Sequence, residues 1–150
     1  MSNTLNTWLT GYDQGVKKLQ LGLVPLLLAF SRLWVAWVFF NSGLTKIASW
    51  DSTLFLFEYE YQVPLLPWQL AAYLGTTAEL VLPLFLALGL ITRPVAAVVF
   101  FFNIIAVVSY PVLWQQGFYD HQLWGLMMLI VVIWGPGPIS LDKWLRSKIG

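Results

Sequence analysis

One carboxylate constrains this chain more than any other residue. Glu79 sits near the middle of Trp68 to Arg93, a run that is otherwise apolar and long enough to cross a bilayer. A charge at that depth normally faces protein or a water-filled cavity, because lipid offers it nothing. Ala71, Gly75, Glu79 and Pro83 recur every four residues and share one stripe of a helix. Small residues in such a stripe let a neighbouring helix approach closely, so the pattern predicts that Glu79 points at protein. Pro83 has no N–H for the carbonyl of residue 79, which predicts a free acceptor and a kink beside the carboxylate. A charge and a spare carbonyl at membrane depth both need partners.

With 150 residues, 59% hydrophobic and 10% charged, the chain has more apolar surface than one soluble core can hide. Four apolar runs, roughly 21 to 47, 69 to 91, 94 to 114 and 119 to 135, each approach the ~20 residues that a helix needs to span hydrocarbon. The expected fold is therefore all-α, an integral membrane four-helix bundle seated in the lipid bilayer. Residues 1–20 form an N-terminal interfacial amphipathic helix in this reading, and residues 21–150 form the four-span domain with a short C-terminal surface helix. The first run starts late, contains Arg32 and lacks a small-residue cleavage site, so it reads as retained rather than as a secretory signal. A net charge of +1 supports no nucleic-acid partner. With no cysteine, the chain itself offers no thiol–disulfide exchange, thiolate metal site, cysteine-attached haem or cysteine-ligated iron–sulfur cluster. Met127 and Met128 read as packing, and no metal site is expected.

In chain order, Leu5, Trp8, Leu9, Tyr12, Val16 and Leu19 fall on one helical face, with Asn6, Asp13, Gln14, Lys17 and Lys18 elsewhere. Trp and Tyr among the apolar positions are what makes this helix read as interfacial. The first span is expected to begin near Leu23 to Pro25 and run to about Lys46, with Arg32, Phe39, Gly43 and Lys46 on one face. Ser49 to Trp68 carries Asp51, Glu58 and Glu60 among aromatic residues, then Val63-Pro64-Leu65-Leu66-Pro67, which predicts a short interfacial helix and a proline-fixed turn. Thr92-Arg93-Pro94 makes a tight turn into the third span, where Asn103 and Tyr110 share a face. Asp120-His121 opens the fourth span, with His121, Gly125 and Met128 on one face, and Gly135-Pro136-Gly137-Pro138 stops it. Ser140 is the expected N-cap of a last helix carrying Lys143, Trp144, Arg146 and Lys148. Lys17, Lys18, Arg93 and the C-terminal cations fall on one side of such a chain, which predicts that both termini are cytoplasmic.

Counting ~1.5 Å per residue from the expected helix ends puts Arg32 ~13 Å, Glu79 ~18 Å and Asn103 ~12 Å from the cytoplasmic side. The expectation is an Arg32–Glu79 ion pair, with Asn103 filling leftover hydrogen-bonding capacity. Lys46, Tyr110, Asp120 and His121 form a second polar layer at the outer interface. The first layer reads as a proton or ligand path, with a latch that fixes helix packing as the alternative. Lys46 alone reads as a snorkelling residue, and His121 as a hydrogen-bond donor or proton shuttle.

These residues resemble the DoxX family of small bacterial four-helix membrane proteins. The resemblance rests on Arg32, then Phe40-Asn41-Ser42-Gly43-Leu44-Thr45-Lys46, then Glu79 with Leu88-Gly89-Leu90-Ile91-Thr92-Arg93, then Asp120-His121 and Gly137-Pro138-Ile139-Ser140-Leu141-Asp142. It covers about residues 28 to 145 and implies a bacterial inner-membrane location. It also implies a link to redox chemistry, since the family's namesake relatives belong to a thiosulfate:quinone oxidoreductase. Importance is thereby carried onto Arg32, Lys46, Glu79, Arg93 and His121, without their chemical roles.

Three functions follow as alternatives. In the first, the chain is the membrane subunit of a quinone-linked oxidoreductase. Arg32, Tyr110 or His121 donate to quinone carbonyls, Asn103 and Lys46 add polar contacts, and Glu79 or Asp120 relay protons. Electrons then come from a partner protein or a small substrate. In the second, it is a non-enzymatic anchor or assembly subunit for a partner, with the 49 to 68 segment as docking surface. In the third, it is a small-solute or proton transporter, its small size offset by homo-oligomerisation.

Overall fold

A computed structural model describes residues 2–149, with side chains from Trp8 to Ile149. Leu5 and Asn6 of the amphipathic pattern lie outside the described side chains. The described residues are helical with no strand, as an all-α membrane protein requires. Helix α1 spans Ser2–Ala48, α2 Trp50–Tyr59, α3 Trp68–Leu88, α4 Thr92–Ser109, α5 Phe118–Trp134 and α6 Leu141–Ile149, with a 3-10 turn at Pro111–Trp114. Stretches 8–48, 68–88 and 92–109 are long and apolar enough to cross a membrane, and α5, at 17 residues, packs with them.

The separate interfacial helix expected over residues 1–20 is not a separate element. Helix α1 runs unbroken through Pro25, whose missing N–H would have served the carbonyl of Leu21, 77% exposed. At such an exposed turn, surroundings outside the bundle can satisfy the orphaned carbonyl, so a proline there need not end the helix. Within the bundle, α1 buries Leu28, Val35, Ala36 and Phe39 against Leu86, Val95, Val99, Met128 and Val131 of the other spans. Gly43 brings α1 onto α3, because a Cβ there would meet Leu80 at 2.9 Å and the Glu79 backbone at 3.2 Å.

The two ends of the bundle are built differently. At the near end, where α1 first becomes buried, the α3–α4 turn meets the segment before α6. Gly89 takes φ 68° at the end of α3, and Ile91, a β-branched residue, takes φ 43° before α4. Asp142 holds this turn: its carboxylate accepts from Ile91 N at 2.7 Å and Thr92 N at 2.8 Å, while its own N–H donates to Gly89 O at 2.9 Å. The carboxylate thereby caps the amide end of α4, where a negative charge is favoured. Ser140 caps α6 as expected, accepting from Lys143 N at 3.2 Å. At the far end, Thr53 of α2 donates to Lys46 O at 2.9 Å and closes the last turn of α1. The expected helix and turn over residues 49–68 appear as α2 and a turn that bonds to the end of α4 through Gln62 N to Ser109 O, 2.7 Å.

Candidate functional site

Glu79 does face protein, at 8% exposure, but its partner is not Arg32. Lys46 Nζ donates to Glu79 Oε1 at 2.9 Å and Oε2 at 2.7 Å, and to Ser42 Oγ at 2.9 Å. An ammonium has three protons, and these three acceptors use them all. The depth count fails because α1 runs unbroken from Ser2, so its place in the bundle is not set by a helix start near Leu23 to Pro25. Arg32 enters at the near end, level with Gly89 and Ile139, and Lys46 follows ~21 Å further along the helix axis. That rise brings Lys46 within reach of mid-α3.

Arg32 is 2% exposed and donates through Nη2 to Ile139 O, while Nε and Nη1 have no hydrogen-bond partner among the described residues. A Cβ on Gly89 would overlap Arg32 Nη1, so glycine is needed there both for its positive φ and for the guanidinium. Arg32 therefore joins α1 to the near-end turn and takes no part in the Glu79 site. The expected Arg32–Glu79–Asn103 cluster does not form.

Asn103 pairs with His121 instead. Its Nδ2 donates to His121 O at 2.9 Å, and its Oδ1 lies 2.7 Å from His121 Nδ1. Because a carbonyl oxygen fixes the amide's donor side, Oδ1 must be the acceptor and Nδ1 must carry a proton. In the neutral imidazole Nε2 is then the free acceptor. The Trp124 ring packs against the imidazole at 4.6 Å between centroids.

Lys46, Glu79 and His121 border a cavity of about 520 Å³ at the far end, within the range of small-molecule sites. Its apolar wall includes Phe57, Val63, Leu74, Ala78, Phe102 and Ile105, and its polar groups are Ser42, Lys46, Glu79, Tyr61, Ser109, Tyr110 and His121. Of the residues singled out in the sequence, the cavity gathers Lys46, Glu79, Tyr110 and His121. Asp120 is exposed and does not line it. Asn103 borders a second, more open groove between α4 and α5, with His121 on the boundary of both.

Two lining residues escaped the sequence reading. Ser109 is 4% exposed, and its Oγ has no hydrogen-bond partner among the described residues. Tyr61 arrives from the turn after α2 and packs edge-on against Tyr110 at 4.8 Å, while Tyr110 donates to Glu60 Oε2 at 3.1 Å. Burial, with the nearby Tyr110, Glu79 and Glu60, pushes the Tyr61 phenol up to about 12, so it remains a proton donor at physiological pH. Neither residue carries a sequence signal stronger than its place beside a proline-rich turn or a helix end.

Comparison with known proteins fits this architecture. The DoxX family profile matches residues 27–111, from the buried part of α1 to just past the end of α4. The inner membrane protein YphA of Escherichia coli is 26% identical over 130 residues, covering 79% of this chain and 90% of that protein. No solved structure matches. The family match spans more than half of the chain, and with its apolar helices and its Arg32, Lys46 and Glu79 layers the chain belongs to the DoxX family of membrane proteins.

Proposed function

We propose that this DoxX protein is a redox-linked membrane subunit that holds a quinone ring in the far-end cavity. The observation that carries the reading is a largely apolar cavity lined by Tyr61 and His121, with the Ser109 hydroxyl, which has no hydrogen-bond partner among the described residues, buried in its wall. An unpaired polar group in such a place is what a ligand oxygen would satisfy. Tyr61, held protonated, is a second donor to a carbonyl oxygen. Glu79 and His121 Nε2 are the groups able to hold a proton at the cavity wall, and Lys46 keeps Glu79 in place. A quinone, when bound, supplies the electron-accepting chemistry that these side chains lack. With no cysteine and one histidine, the chain draws its electrons from a partner protein or a small substrate.

The proposed setting is a bacterial inner membrane with both termini cytoplasmic. Arg93, Lys143, Arg146 and Lys148 belong to the near end, whereas Asp51, Glu58, Glu60 and Asp120 belong to the far end. The cavity then opens at the extracytoplasmic half of the bilayer.

The test is mass spectrometry of small molecules carried by the protein in native-lipid particles, set against bulk membrane lipid. Quinone enriched with the wild type and depleted with Ser109→Ala and Tyr61→Phe supports the reading. Equal quinone content in all samples contradicts it. A second reading, an anchor subunit without a ligand, is favoured by the complete internal pairing of Lys46. It expects a Lys46→Met, Glu79→Met double variant to retain full activity in cells.

A further inference from the structure

Helix α1 has a second face that nothing in the described structure covers. Its bundle face carries Leu28, Arg32, Val35 and Phe39. Opposite runs a line of apolar residues with alternating spacings of three and four: Leu9, Tyr12, Val16, Leu19, Leu23 and Leu26. All but Val16, which is half-buried, are more than half exposed. The same spacing continues along the span through Phe30, Leu33 and Trp37, also more than half exposed. Within the span every face is apolar and the line means little. Over residues 8–20, where Thr10, Asp13, Gln14, Lys17, Lys18 and Gln20 take the other positions, it is selective.

A strict repeat of seven with apolar residues at its first and fourth positions is the pattern by which two parallel helices wind together. From these observations we propose that two copies of this chain pair in parallel along α1, with the Leu9–Leu26 line as the seam. Three observations favour a second copy as the occupant. First, α1 does not turn where it leaves the bundle, so residues 9–23 extend ~22 Å beyond it with no other element of the described structure beside them. Gly11, Gly15 and Gly22 have nothing within 4 Å, and each weakens an isolated helix by ~1 kcal/mol relative to alanine. A projecting helix with three such positions needs a partner along its length.

Second, the charges suit a parallel pair. Lys17 and Lys18 lie away from the seam. Asp13 flanks it at the position that meets Trp8 of the other copy, whose indole N–H is a suitable donor to a carboxylate. No like charges face each other. Gly15 and Gly22, seven apart beside the seam, let the backbones approach. Third, the seam carries six apolar side chains from Leu9 to Leu26, five of them more than half exposed, so a second copy laid along it would bury a continuous apolar strip. The inference is independent of what the far-end cavity holds.

The absence of cysteine makes the test direct. Single variants Tyr12→Cys and Leu19→Cys on the seam, and Gln14→Cys and Leu21→Cys facing away, are oxidised in isolated membranes. The expected result is covalent dimer at 12 and 19, at least about fivefold above 14 and 21. Uniform or absent crosslinking overturns the proposal. So does a polarity-sensitive label that reports lipid immersion at 12 and 19 together with monomeric protein, which would describe a helix lying on the membrane. As a second variant, Leu9→Lys with Val16→Lys is expected to convert dimer to monomer in native-lipid particles, whereas Gln14→Lys leaves the dimer intact. An unchanged mass for the double variant also overturns the proposal.

Discussion

Lys46 Nζ and Glu79 Oε2 lie 2.7 Å apart, joining the last turn of the first span to the middle of the second. Both side chains are largely buried, at 14% and 10% exposure, yet both border the far-end cavity. A carboxylate at membrane depth is thereby matched by a cation inside the same chain, and Ser42, Tyr61, Ser109, Tyr110 and His121 make up the rest of the polar wall.

Removing one partner of this pair leaves an uncompensated buried charge. Lys46→Met alone is expected to destabilise the protein by roughly 3–5 kcal/mol, whereas Lys46→Met with Glu79→Met recovers most of that loss. Thermal unfolding of the single and double variants in detergent checks the order. If the double variant is no more stable than the single, the pair is not the reason for the loss.

The near-end turn should respond to acid. Burial opposes ionisation of Asp142, but hydrogen bonds from Thr92 and Ile91, with the Arg146 charge, outweigh it and hold its pKa below the ordinary aspartate value. A depressed pKa adds stability that is complete above the unfolded pKa of ~3.9 and is lost as pH falls through the folded value. Wild-type protein should therefore lose melting temperature below about pH 4 more steeply than Asp142→Asn. Near neutral pH the same variant, losing a helix cap, should be less stable by ~1 kcal/mol. Parallel slopes in acid contradict the account.

Gly89→Ala tests the seat of Arg32. The left-handed backbone alone disfavours alanine by ~1–2 kcal/mol, and the new methyl group overlaps the guanidinium. The variant is expected to accumulate poorly, and pairing it with Arg32→Ala should relieve the steric part. Normal accumulation of Gly89→Ala would mean that the turn and Arg32 are not packed together as described.

Retention of the proposed quinone should depend on the Tyr61 and Ser109 hydroxyls of the cavity wall. Each of Tyr61→Phe and Ser109→Ala removes one hydrogen bond, worth ~0.5–1.5 kcal/mol and so roughly 2- to 12-fold in affinity. With the Tyr61 phenol raised to about 12, its contribution stays constant from pH 6 to 9. Equilibrium titration with a soluble quinone analogue across that range reads both effects.

The inward stripe of Glu79 was legible because period-four small residues and a lone charge in an apolar run admit few arrangements. The order of spans, the short helix after α1 and the Ser140 cap were legible for similar local reasons. Pairing was not. Where α1 enters the bundle decides which of Arg32 and Lys46, ~21 Å apart along the helix, stands opposite Glu79, and Pro25 gave a misleading start because proline is tolerated at an exposed turn. Asp142 and Thr92 are 50 residues apart, and the turn after α2 meets Ser109 at the end of α4 through a bond between residues 47 apart. Such contacts depend on tertiary packing that no local spacing encodes.

Photolabelling with an azido-quinone followed by peptide mapping asks directly whether the far-end cavity holds the proposed quinone ring. Label is expected on residues 57–66 and 102–113, displaced by excess unlabelled quinone and reduced in Ser109→Ala. Label confined to the open α4–α5 groove, or label that excess quinone does not displace, would contradict it.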